Sequence, residues 1–244
     1  MRPLSVHEMI GLWEKGELRS PVDQALLLLR AADPGNSLTE LAKLHVGERD
    51  RRLLRVREKT FGSRLSCSVD CQWCSEDLHF EFETQQILQP VDTEPEGTFA
   101  GTAEGVDVTF RLPNSEDLMA AMTAGSAEEG KQRILERCLL SIRTAEEALR
   151  VADLPESAIA KVCELMSKSD PQAETRFDVQ CSACGRSCQV TLDVTAFFWK
   201  EVSVRARRAL SEVHLLASAY GWSEQDILDL SPVRREFYLQ RLST

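Results

Sequence analysis

Aromatic residues make up only 6% of this 244-residue chain, and histidines number 4. So few aromatics argue against an aromatic-rich β-sandwich and for helices packed by leucine and alanine. The histidines, His7, His45, His79 and His214, are scattered and fit neither a catalytic triad nor a metal-ligand spacing. Glycine-rich phosphate loops and Gly-x-Ser-x-Gly elbows are missing as well. These absences point to a protein that is not an enzyme. No apolar run approaches the ~18 residues needed to span a bilayer; the longest, such as Ala25–Leu29, suit a helix core. The opening "MRPLSVHEMIGLWEKGE" has no apolar stretch ending in a small-residue cleavage site, so a cytoplasmic location is expected. Positive charge is also in deficit. The formal net charge is −10, which argues against nucleic acid as the main partner, because phosphate contacts dominate that affinity. An acidic surface suits protein partners. The basic segment Arg49–Arg64 is the local exception, and its simplest reading is a solvated helix face.

What the sequence does have is cysteine, 8 in all. In a reducing compartment these read as metal ligands or buried thiols before disulfides. Four form two Cys-x-x-Cys motifs, Cys71/Cys74 and Cys181/Cys184. Each motif lies between two segments of alternating polarity, "RLSCSVD" and "EDLHFEFET" in the first case, "RFDVQ" and "SCQVTLDV" in the second. Aligning Cys71 with Cys181 also aligns Val69 with Val179, and Leu78, Phe80 and Phe82 with Cys188, Val190 and Leu192. The two patches are therefore an internal repeat. Two strand-flanked knuckles with four thiolates match the tetrahedral demand of structural Zn2+, and a closed four-sulfur shell leaves no position for a catalytic water. Thioredoxin-like redox chemistry would want one motif at a helix start. An iron–sulfur cluster, extracellular disulfides or a metal-free ribbon remain as alternatives. Cys138 and Cys163 fall on apolar helix faces and read as buried thiols. Cys67 and Cys188 flank the knuckles in mirror positions and are left outside the ligand set.

The remaining segments read as helices. Capping boxes stand at Ser5/Glu8, Ser37/Glu40 and Ser126/Glu129, and Ser20–Pro21 is a further start signal. A helix is expected from about Val46 to Phe61. Leu135, Cys138, Leu139 and Ile142 extend the helix that starts at Ser126. A hairpin is expected between "QQILQPV" and "GVDVTFRLP". A long C-terminal helix stops at Gly221, and two short helices follow it. The expected fold class is α+β, mainly helical, with a small split zinc ribbon. Its parts are an N-terminal helical region (1–64), the ribbon (65–83 plus 173–195), an inserted hairpin and helical region (84–172), and a helical tail (196–244).

The order "PVDQALLLL", "VGERDRRLLRVREKTFGSRL", "CQWC", "FRLPNSEDLMAA", "ILERCLL" and "CSAC" resembles the baseplate hub assembly proteins, or assembly chaperones, of contractile-tail phages, a family also found in phage-like contractile injection systems. Its most specific piece is Arg111, Leu112, Pro113, Ser115, Asp117 and Leu118. The tail, "EVHLLASAYGWSEQDILDLSPVRREFYLQRL", is similar to a helical segment of small baseplate-associated proteins, through His214, Tyr220, Trp222, Ser223, Arg234, Arg235 and Tyr238. The resemblance implies a non-enzymatic protein that binds baseplate hub, spike or tube-initiator proteins in the bacterial cytoplasm and can enter the particle. Trp222, Phe237 and Tyr238 are the candidate contacts. The rival class is a zinc-ribbon regulator of nucleic acid or transcription machinery, kept open by the arginine-rich helix.

Overall fold

The computed structural model describes residues 1–88, 97–144 and 147–242. Local capping chemistry sets most helix starts. Ser5 and Glu8 close a reciprocal box at the head of α1 (Val6–Gly16), Ser20 caps α2 (Pro21–Ala32), and Ser37 with Glu40 caps α3 (Leu38–Ala42). Helix α4 (Val46–Phe61) ends at Gly62, whose φ of 96° suits glycine. The first knuckle hairpin follows as β1 (Arg64–Asp70) and β2 (Asp77–Glu83), then a single helical turn, α5 (Thr84–Ile87). The insertion holds a three-stranded antiparallel sheet in the order β3 (Phe99–Ala103), β4 (Val106–Phe110), β5 (Leu139–Arg143). It also holds α6 (Ser115–Met122), α7 (Ala127–Cys138) and α8 (Glu156–Ser169). The second knuckle hairpin is β6 (Thr175–Gln180) with β7 (Ser187–Leu192). Helices α9 (Val194–Tyr220), α10 (Glu224–Leu228) and α11 (Pro232–Leu242) complete the chain. The fold is α+β with small antiparallel sheets, as expected.

Two elements differ from the sequence expectation. The hairpin partner of β4 is Phe99–Ala103 rather than "QQILQPV"; Thr84–Ile87 is helical, and Gln89–Val91 lie outside the described residues. Leu139 and Ile142 do not continue α7. The chain extends at Leu139, and Ile142 pairs with Val108 across the sheet. Tertiary strand pairing overrides an ambiguous local pattern there.

Among the described residues, four apolar clusters result. Helices α1 to α4 pack with the first half of α9 through Leu28, Leu53, Leu54, Phe198 and Val202. The insertion has its own core around Phe110, Leu135, Cys138 and Val162. A small cluster lies under the knuckles, and another joins the end of α9 to α10. Helix α9, ~40 Å long at 1.5 Å per residue, runs from the main core to the last cluster.

The arginine-rich helix corrects another expectation. Arg49, Arg51 and Arg57 are buried, not solvated; Arg55, Lys59 and Arg64 keep the exposed character expected of the segment. Each buried arginine has an acidic partner. Arg49 donates to Asp50 (2.7 Å), Arg51 to Glu48 (2.8 Å), and Arg57 makes a two-point bond to Glu201 of α9 (2.6 and 2.9 Å). Desolvation raises the Asp50 pKa against the pull of Arg49.

The start of α4 is also the hinge pin of the insertion. Val46 N–H donates to Pro113 O (2.9 Å), and Asp170 Oδ2 accepts from Gly47 N–H (2.9 Å). Asp170 also lies 2.9 Å from His45 Nδ1. That carboxylate fixes Nδ1 as a donor, so the Glu48 N–H facing the same nitrogen at 3.3 Å finds no lone pair there. A methyl group on Gly47 would come within 1.8 Å of Asp170 Oδ1. Gly47→Ala is expected to cost about 1–3 kcal/mol, read as a lowered thermal midpoint, because the carboxylate must leave its amide to make room.

Candidate metal centre

Both knuckles are built alike. In the first, Cys71 N–H donates to Glu76 O (2.8 Å) and Ser75 N–H to Cys71 O (2.9 Å); in the second, Cys181 N–H donates to Arg186 O and Gly185 N–H to Cys181 O, both at 2.9 Å. The turn needs a left-handed residue four positions after its first cysteine. Gly185 supplies it without strain at φ 71°, and Ser75 adopts φ 60° in the matching place. The strands carry the repeat through: Val69 pairs with Leu78, and Val179 with Cys188.

The turns bring Cys71, Cys74, Cys181 and Cys184 together, with all four Sγ atoms within 4.8 Å of one another. The contacts alternate between knuckles, Cys71 to Cys184 and Cys74 to Cys181, each at 3.7 Å. Four sulfurs ~2.3 Å from a zinc ion would lie about 3.8 Å apart. The cluster therefore has the size of a tetrahedral thiolate shell, and these residues could hold a metal ion. Trp73 Nε1–H and Gln72 Nε2–H reach across to the carbonyls of Ser187 and Gln189, both at 3.4 Å, which locks one knuckle to the other. Arg186 covers the exposed Trp73 ring at 5.0 Å.

Charge within the cluster is contested. The Trp73 and Cys74 amides turn toward Cys71 and bring its thiol down to about 6, outweighing desolvation. Cys74 moves the other way, to about 12: the Glu76 amide favours its thiolate, but desolvation and the neighbouring sulfurs outweigh that donor. One negative charge is accommodated and the next is resisted. A divalent cation is the chemistry that lets four such sulfurs ionise together.

Cys188 sits under this shell, buried, with its Sγ 3.6 Å from that of Cys71. It occupies the place that Leu78 takes in the first hairpin and packs with Val69 and Val179. Cys67 is half-buried against the main core, where burial raises its pKa. Cys138 is fully buried, and Cys163 partly so.

The candidate contact residues of the tail are divided. Trp222 stacks on Tyr220 (4.7 Å between centroids) and meets the edge of Tyr238 (4.9 Å), so both pack within the terminal cluster. Phe237 is 51% exposed, with the Arg241 guanidinium above its ring at 5.1 Å. Sequence reasoning set His45 aside as a scattered histidine and did not connect it with Asp170. Their only local signal is a histidine in the cap position before Val46 and an aspartate closing α8.

The "RLPNSED" element acquires a physical meaning. Asp117 is fully buried and accepts from Arg111 at 2.6 and 2.8 Å, from Arg137 Nε at 2.6 Å, and from Asn114 N–H at 3.0 Å. Desolvation opposes its charge, but these donors win and hold the carboxyl down at about 2. The motif thus ties the end of β4, the head of α6 and the tail of α7 to one carboxylate.

Fold and site define an α+β protein whose paired cysteine knuckles can take a metal between helical regions. The chain belongs to the T4 bacteriophage base plate protein family, whose family model matches residues 27–199. A search of curated proteins and one of solved structures each find no match.

Proposed function

We propose that the protein is a non-enzymatic assembly or structural component of the baseplate hub of a phage-type contractile tail or injection system. The observation that carries this reading is the family match, which spans both knuckles and the whole insertion. A structural Zn2+ on Cys71, Cys74, Cys181 and Cys184 clasps the ribbon, 65–83 plus 173–195. The N-terminal helical region (1–64), the inserted region (84–172) and the helical tail (196–244) then act as separate surfaces for hub, spike or tube-initiator proteins. Among the described residues no helix is long and apolar enough to cross a membrane, which fits assembly in the bacterial cytoplasm.

Deleting the gene from the producing host tests the reading. The expected result is loss of contractile tails in electron micrographs, restored by the gene in trans, with tail proteins recovered on the tagged chain. Normal tails in the deletion strain would overturn it. The regulator reading loses support, because Arg49, Arg51 and Arg57 of α4 are buried and paired with carboxylates, which leaves Arg55 as the exposed arginine of that helix.

A further inference from the structure

We propose that the groove between the second half of α9 and α11 binds an acidic peptide segment of a partner protein, one that carries apolar residues beside its carboxylates. The proposal deepens the reading of the tail as a partner surface and rests on that reading.

The groove has a volume of about 540 Å³ and is lined by Arg205, Arg208 and Arg235. Only Glu212 and Glu236 oppose them among its lining residues. Glu212 is shared: Arg208 takes one oxygen at 2.9 Å, and Arg235 reaches the other at 3.4 Å. Glu236 accepts from Gln240 instead (3.2 Å). Arg205 has no ion pair among the described residues.

Arg235 is the decisive group. It is 4% exposed, yet its bonds to Glu212 and to the Leu228 and Leu230 carbonyls are all long, 3.3–3.5 Å. Its Nε has no hydrogen-bond partner among the described residues. A buried guanidinium held this loosely is costly unless an anion completes it. A carboxylate is the natural complement, because it can accept two parallel N–H bonds from one guanidinium.

The walls set the rest of the chemistry. Val233 is 81% exposed and Phe237 51% exposed, both on the groove. Apolar anchors beside arginines suit a polypeptide that alternates acid and hydrophobe. A nucleic acid is the poorer occupant, since the chain as a whole carries a net charge of −10 and would repel a long polyanion more than a short peptide.

The test is an unbiased displayed dodecapeptide library, selected on the full-length metal-loaded protein and counter-selected on Arg205→Glu/Arg208→Glu. Arg208 is exposed and Arg205 half-buried, and the fold is expected to persist; circular dichroism checks this, and Arg205→Gln/Arg208→Gln replaces the pair if it does not. The expected result is enrichment of Asp/Glu flanked by Leu or Phe, with synthetic versions binding roughly tenfold more weakly to the variant. Phe237→Ala is expected to weaken them as well. No enrichment over the variant, or a basic consensus, would overturn the proposal. So would oligodeoxythymidine binding more tightly than the best peptide, or a self-association lost in the variant, which would assign the groove to a second copy. If acidic peptides bind while tails still assemble without the protein, the groove stands and the baseplate reading falls.

Discussion

Changing Cys71 or Cys181 to serine is expected to abolish binding of one zinc ion per chain and to unfold the knuckle ends of both hairpins together. The reason is how little else holds them. The cluster beneath the knuckles consists of Cys71, Leu78, Cys181 and Cys188, with Val69 and Val179 at its edge. Burying a full-sized apolar side chain contributes about 1.5–3 kcal/mol, whereas ordering each residue costs about 1–2 kcal/mol of backbone entropy. The far ends of the hairpins are held by Leu65, Phe82, Phe177 and Leu192 against the main core, but the knuckle ends, 69–78 and 179–188, cannot be held by so few contacts. Structural zinc contributes about 10–16 kcal/mol in small finger peptides, which would make a bound metal the dominant local term. Metal analysis of protein purified without added zinc, and thermal unfolding with and without a chelator, give the readout. Cys188→Ala is the discriminating control. It removes a buried thiol 3.6 Å from Cys71, so some stability is lost, but the zinc content should stay at one. Equal metal loss in Cys188→Ala and Cys71→Ser would sink the four-ligand assignment. Retention of full metal by Cys71→Ser and Cys181→Ser would do the same.

The four-cysteine cluster could be read in the sequence because its information is local and repeated. Each knuckle carries its own spacing, and the flanking residues repeat with it, down to Ser75 and Gly185 in the one left-handed position. Helix starts were legible for the same reason: a box such as Ser5 with Glu8 lies within a single turn. What escaped was long-range. Arg57 looks like any surface arginine until Glu201, 144 positions later, closes on it. Asp170 reads as a helix terminator, yet it meets His45 and Gly47 across the chain. Leu139–Arg143 fits a helix or a strand by pattern, and only β4 decides between them. Strand β3, "FAGTA", has poor strand propensity. Its Gly101 lies close against Leu165 of α8, whose Cδ1 would have to shift to admit even a methyl group. Of the candidate contacts, the structure turns Trp222 and Tyr238 toward each other and leaves Phe237 outward, a distinction that residue type alone could not supply.

Asp117→Asn is expected to destabilise the insertion by about 2–4 kcal/mol at neutral pH, below the 3–5 kcal/mol typical of breaking a fully buried pair, because Arg111 and Arg137 are partly solvated. Asparagine keeps one acceptor for the Asn114 N–H but leaves two guanidiniums without a counter-charge. The pH dependence separates this role from simple packing. In the folded chain the Asp117 carboxyl is held at about 2, against about 3.9 for an unperturbed aspartate. The folded state therefore prefers the ionised form. Its stabilisation is complete above the unfolded value and is lost as pH falls through about 4 toward 2. The gap in stability between wild type and Asp117→Asn should accordingly be widest near neutrality and narrow on acidification. Glu8 and Glu164, also held at about 2, are present in both proteins and cancel in that difference. The nearby Cys138 thiol, pushed up to about 12 chiefly by burial, stays neutral over the same range. Thermal midpoints measured for both proteins between neutral and acidic pH provide the check. A gap that stays constant across that range would mean that Asp117 acts by shape alone, and that the charge shared among β4, α6 and α7 is not what joins them.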